Sequence, residues 1–478
     1  MTDHITDIKQ LYMQNFGKEP ENIVALPPSG SNRKYYRISN GNDSCIGAFN
    51  EDFKENKAFI NFTKIFLHHE LPVPKIIDEN LDKHIYLLED LGNNTLLSLI
   101  EGNLDKGLQP ENIALYKKVL DYLPIFQVVA GKDIDYSVCY PRNAFDKQSM
   151  MWDLNYFKYY FLKMAQIPFD EQLLEIDFEC FCDYLLQTDC NHFLYRDFQS
   201  RNVMIKDGEP YFIDYQGGRK GALQYDIASM LFEAKTHLKP EVRQELYEYY
   251  ISVLKKYHSF DEEKFTSHYY AYIYIRLMQA MGAYGFRGLY ERKELFLQSI
   301  PKALEHLRWL RENVKLPLNM PQLERVWDFL VENEHIRNLA KTPNYLTVHI
   351  SSFSYKEGIP SDSSVHGGGF VFDCRALENP GRYDEYKSLT GKDAEVIKFL
   401  ESKSDVQTFF AHVSSIISQS VTTYQKREFD YLVVNFGCTG GQHRSVYMAE
   451  KLAQYLKKQF SHIKIDLQHC QLDKIKAQ

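Results

Sequence analysis

Along the first ninety residues, short apolar runs alternate with polar turns. "ENIVALPPSG", "RKYYRIS" and "SCIGAFN" each read as a strand closed by a turn. The spacing then changes in "NKAFINFTKIFLHHEL", where apolar side chains return every three or four positions and predict a helix ending at "PVPKI". "HIYLLEDLG" predicts another strand and "TLLSLI" a helix. From about Pro110 to His258 the helical period dominates, in "YKKVLDYLPIF", "MMWDLNYFKYYFLKM", "IDFECFCDYLL" and "EVRQELYEYYISVLKKY". It is interrupted by two strand-like runs around a "KDGEP" turn, within "HFLYRDFQSRNVMIKDGEPYFIDYQGG", His192 to Gly218. "SHYYAYIYIRLMQAMGAYGF" and "SIPKALEHLRWLREN" predict two more helices, the second with Pro301 in its first turn.

Pro317, Pro321 and Pro343 punctuate the stretch from 315 to 345, and the pattern changes near Thr342. Beyond it, "YLTVHISSF" and "YLVVNFG" are β-branched, apolar runs of the kind found in buried parallel strands. They alternate with amphipathic helices, "DAEVIKFLES" and "SVYMAEKLAQYLKKQF", which predicts an α/β domain. The expected organisation is a first domain over 1–315, with a small mixed lobe at about 1–92 and a helical lobe at about 93–315. A linker over 316–342 and an α/β domain over 343–478 follow.

Composition narrows the class. A chain of 478 residues exceeds one ordinary core, and 44% hydrophobic with 25% charged residues is a globular balance. A net charge of −8 argues against wholesale binding to nucleic acid or a membrane surface. The start "MTDHITDIKQ" is polar and no long apolar run occurs, so a cytoplasmic protein is expected, with no membrane partner. The 8 cysteines include no pair of C-x-x-C motifs, which leaves zinc unsupported.

Within His192–Gly218, Asp197 and Asn202 lie five apart in one loop, and a hairpin returns the chain to Asp214. Oxygen-bearing residues in that order suit a hard cation such as Mg²⁺. A carboxylate able to take a proton from a hydroxyl completes what phosphoryl transfer from ATP needs. Asp197 is the candidate base; Asn202 and Asp214 are the candidate metal ligands. The plainer alternative is a polar loop, because Asp and Asn favour turns for local hydrogen bonding alone.

The segment resembles the catalytic core of the aminoglycoside-phosphotransferase and protein-kinase-like superfamily, in "YRDFQSRN", "FIDYQGG" and "LQYDIASML". The resemblance spans roughly residues 20 to 310 and implies a bilobal α+β kinase fold, using ATP and Mg²⁺, ahead of the smaller α/β domain. It also implies that Tyr195 stands where the motif has a histidine, that Asp226 supports the catalytic loop, and that the backbone at Glu89, Asp90 and Leu91 faces adenine. The small-lobe lysine of that family is missing: "SCIGAFNED" offers Ala48 and Phe49, with Lys54 and Lys57 nearby. Ser29, Gly30, Ser31, Asn32, Arg33 and Arg37 in "SGSNRKYYRIS" are the candidates to meet the phosphates instead. These departures resemble the anomeric amino-sugar kinases of the AmgK type, which implies an acceptor such as N-acetylmuramate or N-acetylglucosamine, phosphorylated at its 1-hydroxyl. Tyr156, Tyr159 and Tyr160 are candidates for stacking on a sugar.

In the last domain, "DYLVVNFGCTGGQHRSVYMAEKLAQYL" reads as strand, glycine-containing loop and helix, an arrangement that presents backbone N–H groups to an anion. Arg444 could clamp a phosphate there; alternatively Gly440 and Gly441 only form a turn and Ser445 only caps the helix. Cys438 and Arg444 also have the spacing of a tyrosine-phosphatase loop. A more extended resemblance, carried by "ISSFSYKEGIP", "FVFDCRALENPGRY", "LTGKDAEVIKFL" and the loop above, is to the C-terminal domain of the RNase adaptor RapZ. It implies a pocket for a phosphorylated amino sugar lined by Lys356, Arg375, Thr439, Gly440, Gly441, His443 and Arg444. It leaves open a rival reading, a regulatory adaptor for an RNase or a small RNA on a non-catalytic kinase-like scaffold. The 16 Lys and Arg against 15 Asp and Glu in 343–478 form no dense positive surface for RNA.

Overall fold

The computed structural model describes residues 4–27, 33–41, 43–101, 108–291, 293–333, 336, 346–360, 369–427, 429, 431–460 and 462–472. The chain divides into two compact units, Met1–Ala340 and Lys341–Gln478.

The first unit begins with helix α1 (His4–Phe16), strands β1 (Asn22–Ala25), β2 (Lys34–Asn40) and β3 (Asp43–Phe49), helix α2 (Phe53–His68), and strands β4 (Ile76–Asn80) and β5 (Ile85–Glu89). The strands form an antiparallel sheet in the order β1-β2-β3-β5-β4. Successive side chains of a strand face opposite sides, and β5 uses both. Ile85 and Leu87 join Ile8, Leu11 and Tyr12 of α1, whereas Tyr86 and Leu88 join Phe59, Phe62 and Phe66 of α2. Gly47 lets α1 approach, since a Cβ there would stand 2.6 Å from Ile8 Cγ2. Helix α1 and strand β4 add to the elements expected from the sequence. The signal for α1 was present in Ile5, Ile8, Leu11 and Tyr12 at helical spacing, diluted by the polar residues between them.

The larger lobe contains α3 (Leu96–Glu101), α4 (Pro110–Pro124), α5 (Lys147–Tyr156), α6 (Glu171–Leu185), α7 (Gln224–Leu231), α8 (Pro240–Leu254), α9 (Glu262–Tyr284), α10 (Glu294–Leu297), α11 (Ile300–Asn313) and α12 (Pro321–Glu332). Between α6 and α7 lie two small antiparallel pairs, β6 (His192–Leu194) with β9 (Arg219–Gly221), and β7 (Val203–Lys206) with β8 (Glu209–Phe212). The β7–β8 hairpin turns through Asp207 and Gly208, both at positive φ (53° and 78°), the conformation that a two-residue Asp-Gly loop adopts readily. Helices α5 and α9 run on into π turns at Phe157–Leu162 and Gly285–Tyr290.

One expectation is corrected. Residues 316–342 are not linker throughout, because α12 places Leu323, Val326, Trp327 and Leu330 in the same core as α6 and α9. Pro321, which reads as punctuation, occupies the first helical turn, where a missing N–H costs nothing.

The second unit contains β10 (Leu346–Ser354), β11 (Gly369–Asp373), α13 (Ala394–Glu401), α14 (Ser404–Lys426), β12 (Tyr431–Cys438), α15 (Arg444–Gln459) and β13 (Ile463–His469). The sheet is parallel, in the order β11-β12-β10-β13. Central β12 is buried along nearly its whole length, and edge strand β13 alternates between half-buried and exposed positions. Sheets of this kind place ligands at the carboxyl ends of their strands. Residues 354–356 and 438–444 occupy those ends here.

Among the described residues, no helix is long and apolar enough to cross a membrane.

Candidate active site

The loop between β6 and β7 is held from below. Asp226, fully buried near the start of α7, accepts the N–H groups of Tyr195 (2.9 Å) and Arg196 (3.0 Å) and the side-chain amide of Gln127 (3.1 Å). Burial pushes its carboxyl up to about 7, against those three donors. Tyr195 stands in the position of the motif histidine and donates its hydroxyl to the Ile213 carbonyl at 2.6 Å. The ring therefore ties the β6–β7 loop to the residue just before Asp214. Arg196 forms a fork on Asp153, at 2.9 and 2.7 Å, and also reaches the Tyr225 hydroxyl at 2.6 Å.

Arg196 and Asp214 both have positive φ, 81° and 67°. That region costs a non-glycine residue on the order of 1 kcal/mol and persists only where the surroundings enforce it. Here the enforcement is the fork on Asp153 and the bonds around Ile213. Asn202 donates its amide to the Asp197 carbonyl (2.9 Å) and to Asp214 Oδ2 (3.2 Å). One side chain thus joins the loop of the candidate base to the second carboxylate.

The donor set fits a divalent cation. Burial, and then the charge of Asp197, push the Asp214 carboxyl up, opposed by the Gln216 amide at 2.7 Å and by the fields of Arg33 and Arg201. Gln216 Oε1 is buried and has no hydrogen-bond partner among the described residues. A buried carboxylate, an uncompensated amide oxygen beside it, and the Asn202 amide oxygen are hard ligands.

Arg33, buried at the entry to β2, donates to Glu55 of α2 at 3.0 Å. Ala48 on β3, near where the family lysine is expected, pairs with Tyr35 across the β2–β3 ladder. Arg33 lies two residues before Tyr35, so the chain brings a buried cation to the start of the neighbouring strand. Arg37 serves elsewhere: it forks onto Asp90 (2.7 and 2.9 Å) and bonds Asn93 and the Gly92 carbonyl. At the segment expected to face adenine, the Glu89 N–H donates to the Lys75 carbonyl, its carboxylate pairs with Lys206 at 2.8 Å, and Leu91 is buried. Ser29, Gly30, Ser31 and Asn32 lie outside the described residues.

A cavity of about 560 Å³ opens beside Asp197, walled by α7, α9 and the segment that follows. Its polar lining includes Arg201, Glu233, Arg276 and Tyr284, which lie outside the candidate residues that the motifs indicate. Tyr156, Tyr159 and Tyr160 are not in that lining; Tyr160 packs on Phe286 instead. Arg201, directly before Asn202 in the motif, was the one detectable signal.

The second unit treats its conspicuous residues differently. Arg444 is buried and donates to the carbonyls of Arg375 (2.9 Å) and Leu377 (2.8 Å), with Thr439 Oγ1 at 3.5 Å. Arg375 is itself exposed, gripped by Asp373 and stacked 4.1 Å over the Tyr355 ring. Lys356 is exposed on the loop after β10, and Thr439 and Gly440 on the loop after β12, while Gly441 takes φ 67°. His443 is buried, bonds the Tyr386 carbonyl, and has its pKa lowered by burial. Ser445 does not cap α15; it lies within the first turn, its hydroxyl 3.1 Å from the buried Cys438 thiol.

A family model for the phosphotransferase enzyme family matches residues 23–264, just over half of the 478 residues. The chain belongs to the phosphotransferase enzyme family. Beyond this phosphotransferase domain, the model of the RapZ C-terminal domain matches residues 346–473. Curated relatives match the chain over about a third of its length or less. "Nucleotide-binding protein NE1849" of Nitrosomonas europaea is 39% identical over 154 residues, 32% of this chain and 49% of the relative. A "nucleotide-binding protein" of Glaesserella parasuis is 38% identical over 129 residues, 27% of this chain and 43% of the relative. The chain thus spans about half or less of each of these two. Among solved structures, a choline kinase from Cryptosporidium parvum Iowa II is 12% identical, covering 67% of this chain and 99% of that one, with TM-score 0.47. The amicoumacin kinase hAmiN is 12% identical, covering 68% and 100%, with TM-score 0.41.

Proposed function

We propose that the first unit transfers the γ-phosphoryl group of ATP to a hydroxyl of an amino sugar, the anomeric hydroxyl of N-acetylmuramate or N-acetylglucosamine, and that the second unit binds a phosphorylated amino sugar. The observation that carries the reading is the meeting of Asp197, Asn202 and Asp214, with a cavity large enough for a sugar opening beside Asp197.

Asp214 and Asn202 would hold Mg²⁺. Bound there, the ion supplies neutralisation of charge on the transferring phosphate oxygens. Asp197 accepts the proton of the acceptor hydroxyl and aligns its oxygen for attack. Arg33, held on Glu55, places a fixed cation within reach of Asp214 and stands in for the absent small-lobe lysine. Arg37 and Asp90 brace the segment at Glu89, Asp90 and Leu91 beside the nucleotide. In the second unit, Thr439, Gly440 and Gly441 offer backbone N–H groups before α15, with Lys356 and Arg375 at the same strand ends; Arg444 shapes the loop from beneath. The division into a phosphotransferase unit and a sugar-phosphate unit belongs to the same proposal, as does a cytoplasmic setting.

The test is phosphorus NMR of the full chain with Mg·ATP and a panel of amino sugars. A new phosphate ester that disappears in Asp197→Asn is the expected result. Tight RNA binding that weakens steeply with salt, with no ester formed from any sugar, would favour the adaptor reading instead.

A further inference from the structure

We infer that the acceptor carries a fixed negative charge, a carboxylate or a phosphate ester, seated against Arg276. This rests on the reading of Asp197 as the base of a phosphotransfer.

Among the described residues, the cavity beside Asp197 is walled by five cationic side chains, Arg201, Lys235, Arg276, Arg287 and Lys293, against two carboxylates, Asp197 and Glu233. What each charge already faces decides what a ligand must bring. Glu233 accepts the N–H and the hydroxyl of Ser200, at 2.9 and 2.7 Å, so local dipoles hold its charge. Arg287 and Lys293 share Glu291, each at 2.9 Å. Arg276 differs from both. It is half-buried on α9, and its Nε donates to Ser229 Oγ at 3.0 Å while Nη1 donates to Gln279 Oε1 at 2.6 Å. Both partners are neutral. Among the described residues, Arg201, Lys235 and Arg276 have no ion-pair partner.

A guanidinium drawn partly out of water, with neutral partners only, is costly until an anion completes it. Its planar fork suits a carboxylate or a phosphate, whose two oxygens can take parallel N–H bonds. A cationic acceptor would meet repulsion from this wall, and a neutral one would leave the Arg276 charge uncompensated. The nucleotide does not supply that anion as directly. Arg201 directly precedes the candidate metal ligand Asn202 in the chain, which associates it with the nucleotide end of the cavity, whereas Arg276 projects from helix α9.

Three acceptors on one sugar frame separate the possibilities: N-acetylglucosamine, neutral; N-acetylmuramate, with a carboxylate; and N-acetylglucosamine 6-phosphate. With saturating Mg·ATP and the full chain, at least one charged acceptor is expected to have kcat/KM about tenfold or more above the neutral one, as a charge-assisted contact supplies. Which one leads tells carboxylate from phosphate. Arg276→Gln is expected to bring the ratio close to unity, mainly through KM, and Arg276→Lys to restore part of it. Lys235→Gln, at another cation of the same lining, reports a smaller fall should the Arg276 variants fail to fold. Equal kcat/KM for all three acceptors, or a ratio untouched by these substitutions, overturns the inference while leaving the phosphotransferase reading intact. No ester from any acceptor, with Asp197→Asn indistinguishable from wild type, defeats that reading and the inference with it.

Discussion

Two loops of this chain read alike as phosphate-handling segments, one between strands β6 and β7 and one between strand β12 and helix α15, and they are supported in opposite ways. In the first unit, the supporting work beneath residues 195–202 is done by Asp226, Tyr195 and Arg196, buried or half-buried residues bonded to backbone and to one another. That scaffold leaves Asp197 facing a cavity and Asp214 short of compensating charge. In the second unit, the residue that looks most like a phosphate clamp, Arg444, is itself the scaffold, spent on two carbonyls. A charged residue advertises chemistry only when something else holds the loop.

Substitutions that remove one side of this contrast test it, the largest effect first. Asp197→Asn should lower kcat by about 10²–10⁴-fold with little change in denaturant midpoint, because in the proposed reaction the side chain acts in chemistry and not in support. A midpoint shift comparable to the rate loss would place Asp197 with the scaffold. Arg33→Gln should cost about 10²-fold in kcat/KM for Mg·ATP, the scale of one lost electrostatic donor, and Arg33→Lys should recover part of it. Were Arg33→Gln to leave ATP kinetics unchanged, the pair with Glu55 would be structural only.

Asp226 and Arg444 should behave as scaffold. Asp226→Ala strands two loop N–H groups, with an expected stability loss of about 2–4 kcal/mol in urea melts. The pH dependence follows from its raised carboxyl. A group that holds its proton more tightly when folded contributes most below its unfolded pKa, and that contribution is lost as pH rises through about 7. The stability of wild type relative to Asp226→Asn should therefore fall between about pH 4 and 7, by about 1.4 kcal/mol per pH unit at most. A rising difference would mean that the three donors hold the carboxylate ionised. Arg444→Ala should destabilise the transition of the second unit by about 2–3 kcal/mol in calorimetry of the full chain, since two carbonyls lose their donors. Cys438→Ser should do least, about 1 kcal/mol, with phosphotransfer unchanged; the thiol is buried beside Ser445, and Arg444 is turned toward carbonyls.

Periodicity was enough for most long helices and for the two strands around the Asp207–Gly208 turn, because burial of an apolar face imposes a spacing that the sequence must display. It failed where the stripe was thin, as in α1, and where proline at a helix start was read as a boundary, as in α12. Asp197, Asn202 and Asp214 could be singled out in the sequence because a cation and a proton acceptor demand particular residue types, and the structure brings the three together. Arg276, Glu55 and Gln216 carried no such mark, lying 79, 142 and 19 residues from Asp197 in sequence.

The sequence by itself determined most of the long elements and the residue types of the proposed reaction centre, since both are local demands on spacing and chemistry. Only the tertiary structure decided which charges are already answered: Arg37 by Asp90, Arg444 by backbone carbonyls, Arg33 by Glu55, and Arg276 by neutral partners alone. The physical reason is that compensation of a buried charge depends on distance through space. Partners 22 to 69 residues away in the chain, such as Glu55, Asp90 and the Arg375 carbonyl, become neighbours only when the helices and sheets pack.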